Sequence, residues 1–207
     1  MWRYREAVAI LVDAARWPWR DTLWCHLVSD SNLTELHRFA ALLGCRRVGF
    51  QGDHYDIDVG TRALAVEQGA IECDSRELVR KIRDAGLRVR PSAFEKWSLV
   101  TRGNDFTDAT LTELAAFDHA LLGQAIETLV SMPDVVKAGE HCSGWFVLKR
   151  ENSAALIMQG TAPGVVGTSG LVPVGDDYDR GLFVRVERGD PQSWAIEIIS
   201  PSPEPHQ

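Results

Sequence analysis

What this chain lacks narrows the reading first. A membrane span needs about 18 or more consecutive apolar residues, and the leading candidate, Ala7-Val8-Ala9-Ile10-Leu11-Val12, is stopped by Asp13. A secretory leader needs an apolar core of roughly 7–15 residues and a small-residue cleavage site. Neither pattern is present, which predicts a cytoplasmic protein with no membrane partner. Cysteine is scarce: Cys25, Cys45, Cys73 and Cys142 are widely spread, with no C-x-x-C pair. Reduced thiols are expected, and a structural zinc site has no spacing to rest on. No nucleophile elbow, P-loop lysine motif, dinucleotide fingerprint or H-E-x-x-H appears, so the commonest enzyme classes lack their signatures. The first half also lacks net charge. Residues 1–95 carry 14 Lys+Arg and 14 Asp+Glu, whereas residues 96–207 carry 8 and 15 and so hold the whole charge of −7. Affinity for phosphate backbones comes mostly from Lys and Arg, so nonspecific nucleic-acid binding is not expected. The acidic second half suits a basic protein partner, or simply solubility.

What is present is an ordinary globular composition. The chain has 207 residues, 45% hydrophobic and 25% charged, enough for one large or two small domains, each with its own core. Residues 7–12 read as a buried strand ending at Asp13. Residues 16–24, with Trp17, Pro18, Trp19 and Trp24, read as a loop anchored by large side chains. It is expected to be a lid over the core, with a stacking or peptide-binding surface as the alternative. Asn32 and Glu35 form a capping-box pair opening a helix to Leu43, stopped by Gly44. A second strand is expected at Arg47–Phe50. Asp58 caps a helix over 61–68 closed by Gly69. A third strand is expected at Ala70–Cys73, and Asp74 with Glu77 opens a helix ended by Gly86. This alternation with short connections predicts an α/β domain built as a parallel βαβ sheet with helices. The expected boundaries are a domain over 1–91, a linker over 92–109, an α+β region over 110–200 and a flexible tail over 201–207. The α+β region combines one long helix from Thr110 to Pro133, with Asp118 on its apolar stripe, and an antiparallel sheet.

Ligands of open parallel sheets bind at the carboxyl ends of the strands, where loops and helix N-termini collect. The expected strands deliver Asp13, Asp53, His54, Tyr55, Asp56, Asp74 and Ser75 to that edge, with His26 and Asp30 arriving from a long loop. Three readings follow. Two or more of Asp13, Asp30, Asp53, Asp56 and Asp74 hold Mg²⁺ or Mn²⁺ for phosphoester hydrolysis. Alternatively, His26, His54 and a carboxylate hold zinc or iron. In the third, Asp30, Asp58 and Asp74 are helix caps, and His54 and Tyr55 are packed loop residues. Magnesium or manganese ranks ahead of zinc, and a site with no metal stands level with them.

Several blocks then agree in order: Ile10-Leu11-Val12-Asp13, Cys25-His26-Leu27-Val28-Ser29-Asp30, His54-Tyr55-Asp56-Ile57, Arg62-Ala63-Leu64-Ala65 and Gly69-Ala70-Ile71-Glu72. Residues 7–90 thereby resemble a family of small bacterial and phage proteins of unknown activity. The resemblance implies a domain boundary but no reaction. It also implies that His26, Asp30, His54, Asp56 and Arg62 belong to a shared pattern, in which Asp53 is not clearly included.

The resulting expectation is a hydrolase that acts on a small molecule or other phosphate-containing substrate. Asp13, Asp30, Asp53 and Asp56 are its candidate metal ligands, and His26, His54 and Asp56 its catalytic groups. Arg62 and Tyr55 are candidate substrate contacts, with a salt bridge to Asp56 or Asp58 as the alternative for Arg62. The rival expectation is a non-enzymatic binding or regulatory module whose acidic second half engages a protein partner. Outside the first domain, the glycine-rich segment 160–170 and the acidic turn 175–179 are expected to be loops.

Overall fold

The computed structural model describes residues 9–89, 96–107, 141–150, 153–161, 172–173, 183–186 and 193–199. Two compact units emerge, one of residues 1–45 and 49–94, the other of residues 46–48 and 95–207. The long helix expected at Thr110–Pro133, with Asp118, lies outside the described residues, as do residues 162–170 and 175–179. No helix among the described residues is long and apolar enough to cross a membrane.

The first unit is a mixed sheet between helices. Its strands are β1 (Ile10–Val12), β2 (Trp17–Trp19), β3 (Thr22–Ser29), β4 (Tyr55–Asp58) and β5 (Ile71–Glu72). Its helices are α1 (Leu33–Leu42), α2 (Val59–Glu67) and α3 (Ser75–Asp84). β1 and β5 are parallel neighbours. The remaining pairs correct the expected parallel sheet. β3 runs antiparallel to β1, β2 and β4. The expected loop over residues 16–24 is a hairpin leading into β3, which also absorbs Cys25–Ser29. Its turn signal was hidden, because Arg20 and Asp21 hold left-handed φ values of 48° and 59° where a two-residue turn usually shows Asn or Gly. The expected second strand fails as well. Arg47–Gly49 is a single 3₁₀ turn, and the strand comes later, where buried Tyr55 and Ile57 alternate with outward Asp56 and Asp58.

The helices follow their local signals. Asn32, Asp58 and Asp74 accept hydrogen bonds from the first-turn amides of Glu35, Thr61 and Glu77 at 2.8, 2.7 and 2.9 Å, satisfying donors that a helix leaves open. Gly44 and Gly86 follow α1 and α3 in the left-handed region. Along β3 the side chains alternate between two faces. Cys25 and Leu27 join Ile10, Val12, Tyr55 and Ile57 in a core covered by Leu36 and Ala40 of α1 and Ala65 of α2. Val28 and Leu11 face the other way, against Leu78 and Ile82 of α3. Fully buried leucines such as Leu27 and Leu36 contribute about 1.5–3 kcal/mol each relative to exposure. α3 therefore covers only part of the second face. The rest carries His26, Asp56, Trp24 and Trp17.

The second unit contains the antiparallel sheet expected there, with strands β6 (Ser98–Gly103), β7 (Cys142–Arg150), β8 (Ser153–Thr161), β9 (Val172–Pro173), β10 (Phe183–Val186) and β11 (Ser193–Ile199). Their order is β6-β7-β8-β11-β10-β9. β6 falls where a linker was expected. Its Gly103 lies opposite Trp145, and a Cβ there would stand 2.7 Å from the indole, so the close approach requires glycine. Val147 and Ala155 to Met158 are fully buried.

Candidate functional site

Two structural accidents of β3 bring the polar residues together. The first is register. His26 pairs with Asp56 across β3 and β4, so both side chains emerge on one face while their neighbours Cys25, Leu27, Tyr55 and Ile57 fill the core on the other. The second is a bulge. Between β1 and β2, residues 13–16 stand against only Cys25 and His26. Extra residues in one strand bend it and re-aim side chains, and here Asp13 is turned onto His26.

Asp13 is fully buried. One carboxylate oxygen accepts the His26 amide at 2.7 Å, and the other accepts the Ser75 hydroxyl at 2.7 Å and lies 3.0 Å from His26 Nδ1. Burial raises the pKa of this carboxyl, but the hydrogen bonds from His26 and Ser75 outweigh it, so the group stays below the usual carboxylate range. His54 repeats the arrangement. Its Nδ1 lies 2.6 Å from Oδ1 of the buried Asp53, whose other oxygen accepts Arg88 Nη1 and the Val89 amide, each at 2.9 Å. Burial likewise pushes Asp53 up, while these partners hold it lowered. For His54, burial opposes protonation, yet the bonds to Asp53 and Asp56 and their charges push the imidazole up to about 9.

Each imidazole is thus gripped at Nδ1 by a buried carboxylate and offers Nε2 outward. Both Nε2 atoms face the same Asp56 oxygen, at 3.9 Å from His26 and 3.4 Å from His54. The two rings lie 5.2 Å apart, edge to face. His26, His54 and Asp56 form a three-residue group whose donor atoms all lie within 4.8 Å of one another. Metal–donor bonds of about 2.0–2.2 Å place neighbouring donors roughly 3–4 Å apart, so this set needs only small side-chain shifts to close on an ion.

The other residues singled out from the sequence fall elsewhere. Asp13 and Asp53 sit behind the imidazoles with their oxygens committed. Asp30 accepts the Ala9 amide at 2.9 Å and lies 3.9 Å from Lys81 Nζ. Asp58 and Asp74 cap helices. Arg62 braces the turn after β1: its Nε donates to the Asp13 carbonyl at 2.6 Å and its Nη2 binds Glu72. Tyr55 faces the core, its hydroxyl 2.8 Å from His37 Nδ1. Tyr55→Phe should therefore cost about 1–2 kcal/mol in urea unfolding, the usual penalty for a buried polar group losing its partner. Titrated metal affinity should stay unchanged; a large loss of affinity would return Tyr55 to the site. Arg88, Val89 and Glu72 escaped sequence reasoning, because nothing local marks a cation or amide that reaches back across the fold. Thiol chemistry is unsupported at Cys25 and Cys73, since burial pushes the first up to about 12 and the second to about 11.

Residues 10–85 match a family described as a protein of unknown function, DUF4031. This agrees with the resemblance to an uncharacterised family and spans every residue of the His26–His54–Asp56 group. No curated protein and no solved structure matches the chain.

Proposed function

We propose that His26, His54 and Asp56 hold one divalent transition-metal ion and that the protein is a metal-dependent hydrolase acting on a phosphate-containing substrate. The observation that carries the reading is the paired grip: both histidines present Nε2 to one carboxylate while a buried aspartate holds each Nδ1. Metal-binding histidines almost always give their second ring nitrogen to such a partner, which fixes the tautomer and raises ligand basicity. Helix capping and core packing call for no such duplication. Two imidazoles and one carboxylate suit zinc, iron or manganese better than magnesium, which prefers oxygen ligands and water.

Held by His26, His54 and Asp56, such an ion would supply Lewis-acid chemistry to a phosphoryl oxygen or to an attacking water. The chain's own part is to keep three donors on an open face. Asp56 is half exposed, so the side away from the sheet is available to substrate. Asp13 and Asp53, with Ser75 and Arg88 behind them, prevent the rings from rotating.

Thermal melts of the whole chain in EDTA, Zn²⁺, Mn²⁺, Fe²⁺ and Mg²⁺ test the metal. A ligand at about 100 times its dissociation constant stabilises by roughly 2.7 kcal/mol, which is a rise of several degrees. Zinc, iron or manganese should raise the midpoint and magnesium should not. A midpoint indifferent to every ion would sink the reading. Release of phosphate from simple mono- and diesters, lost in EDTA and restored by the stabilising ion, tests the reaction.

A further inference from the structure

The metal ligands occupy one end of an open sheet face whose other end is aromatic. Trp24 is two residues before His26 on β3, so both side chains emerge on the same face. Trp17 pairs with Trp24, and Trp19 with Thr22, which puts all three indoles on that face in successive rows. Trp17 is 56% exposed and Trp19 is 54% exposed. The Trp17 ring nevertheless stands edge-on to His26, with centroids 6.2 Å apart. The expected lid over the core is therefore corrected: among the described residues these two indoles cover no core.

Trp19 and Trp24, the outer part of the platform, are pinned by contacts with each other and with Arg20. Trp24 Nε1 donates to the Trp19 carbonyl at 2.9 Å, and the two indoles meet edge to face at 5.0 Å. The Arg20 guanidinium stacks on Trp19 at 4.3 Å. At the tip, Arg20 and Asp21 both take left-handed backbone conformations, which Asp tolerates but which is unfavourable for Arg20 and persists where the surroundings over-determine it. Large apolar rings fixed in water beside a polar cluster are what a stacking ligand needs, because little side-chain freedom is left to lose on binding.

We propose that this stripe is the base-stacking subsite of the same site. The substrate carries a nucleobase that stacks on Trp17 while its phosphate reaches the His26–His54–Asp56 group. The inference rests on the metal reading for the phosphate end only. One side-chain row separates the Trp17–Trp24 pair from the His26–Asp56 pair, about 7 Å along the strand, a gap that a sugar between base and phosphate spans. Trp19 already carries a guanidinium on one face, which leaves Trp17 as the stacking surface nearest the ligands. A long nucleic acid is disfavoured, since residues 1–95 balance 14 basic against 14 acidic residues. The occupant is a single nucleotide unit, free or at the end of a strand.

Calorimetric titration of the whole chain with AMP, ribose 5-phosphate and a short single-stranded oligonucleotide, with Zn²⁺ and with EDTA, tests this. AMP should bind at least 5-fold more tightly than ribose 5-phosphate. Trp17→Ala should remove roughly 5- to 150-fold of AMP affinity, the usual contribution of a stacked base, and Trp17→Phe should keep most of it. Melting of each variant with the wild type shows that the fold is retained. An oligonucleotide that binds as AMP does identifies a strand end, and AMP alone identifies a free nucleotide; both support the subsite. Equal affinity for AMP and ribose 5-phosphate, or an AMP preference that survives Trp17→Ala, overturns it. A metal response without an AMP preference defeats the stacking subsite and spares the metal reading; an AMP preference without a metal response does the reverse.

Discussion

Asp56→Ala is expected to leave the metal-free fold almost untouched and to abolish the metal-induced rise in melting midpoint. Asp56 is the most exposed member of the group, at 48%. Its side chain projects from β4 and takes no part in the buried core, so truncation should cost no more than its contact with His54, about 1 kcal/mol for a half-exposed pair. The same carboxylate oxygen is the point to which both Nε2 atoms are directed. Its loss removes the sole anionic donor of the proposed set. At a concentration where the wild type gains roughly 2.7 kcal/mol, the variant should gain nothing measurable. Differential scanning calorimetry with and without zinc reads both quantities in one experiment. A variant that still responds to zinc like the wild type would disprove Asp56 as a ligand.

The second large effect concerns Asp13, and it separates support from ligation. Asp13→Ala is expected to lower stability by about 3 kcal/mol or more. It leaves the part-buried His26 amide and Ser75 hydroxyl without the oxygens they now reach at 2.7 Å, and each polar group left unpaired out of reach of water costs about 1–3 kcal/mol. Asp13→Asn keeps the shape but loses the charge that fixes the His26 ring. It should fold and bind zinc about 10- to 100-fold more weakly, the usual effect of removing a partner of a metal-binding histidine. Urea unfolding gives the first number and a zinc titration gives the second. If Asp13→Ala unfolds within about 0.5 kcal/mol of the wild type, the network around Asp13 is not a structural element. If Asp13→Asn binds zinc as tightly as the wild type does, the grip on His26 is irrelevant to the metal.

The helices were legible because their signals are local. Asn32, Asp58 and Asp74 each reach an amide two or three residues on, and Gly44 and Gly86 turn the chain where a side chain would be strained. The sheet was less legible. Polar residues crowded into Gln51–Ile57 suggested a loop, yet strict alternation of Tyr55 and Ile57 with Asp56 and Asp58 makes that stretch end in a strand. Tryptophans crowded into residues 16–24 suggested a loop for a similar reason, namely bulky side chains without a glycine turn. In both places composition concealed a period of two.

By itself the sequence determined the helix ends and the residue types available for chemistry near Asp13, His26, His54 and Asp56. Only the tertiary structure decided which of those side chains face one another. Five aspartates looked equivalent as candidate ligands. Asp13, Asp53 and Asp56 acquired different positions because a bulge before β2, the antiparallel register of β3 on β4, and Arg88 returning from beyond α3 act between residues far apart in the chain. Local periodicity carries no record of such pairings. Two aspartates therefore stand behind the imidazoles, and Asp56 stands in front of them.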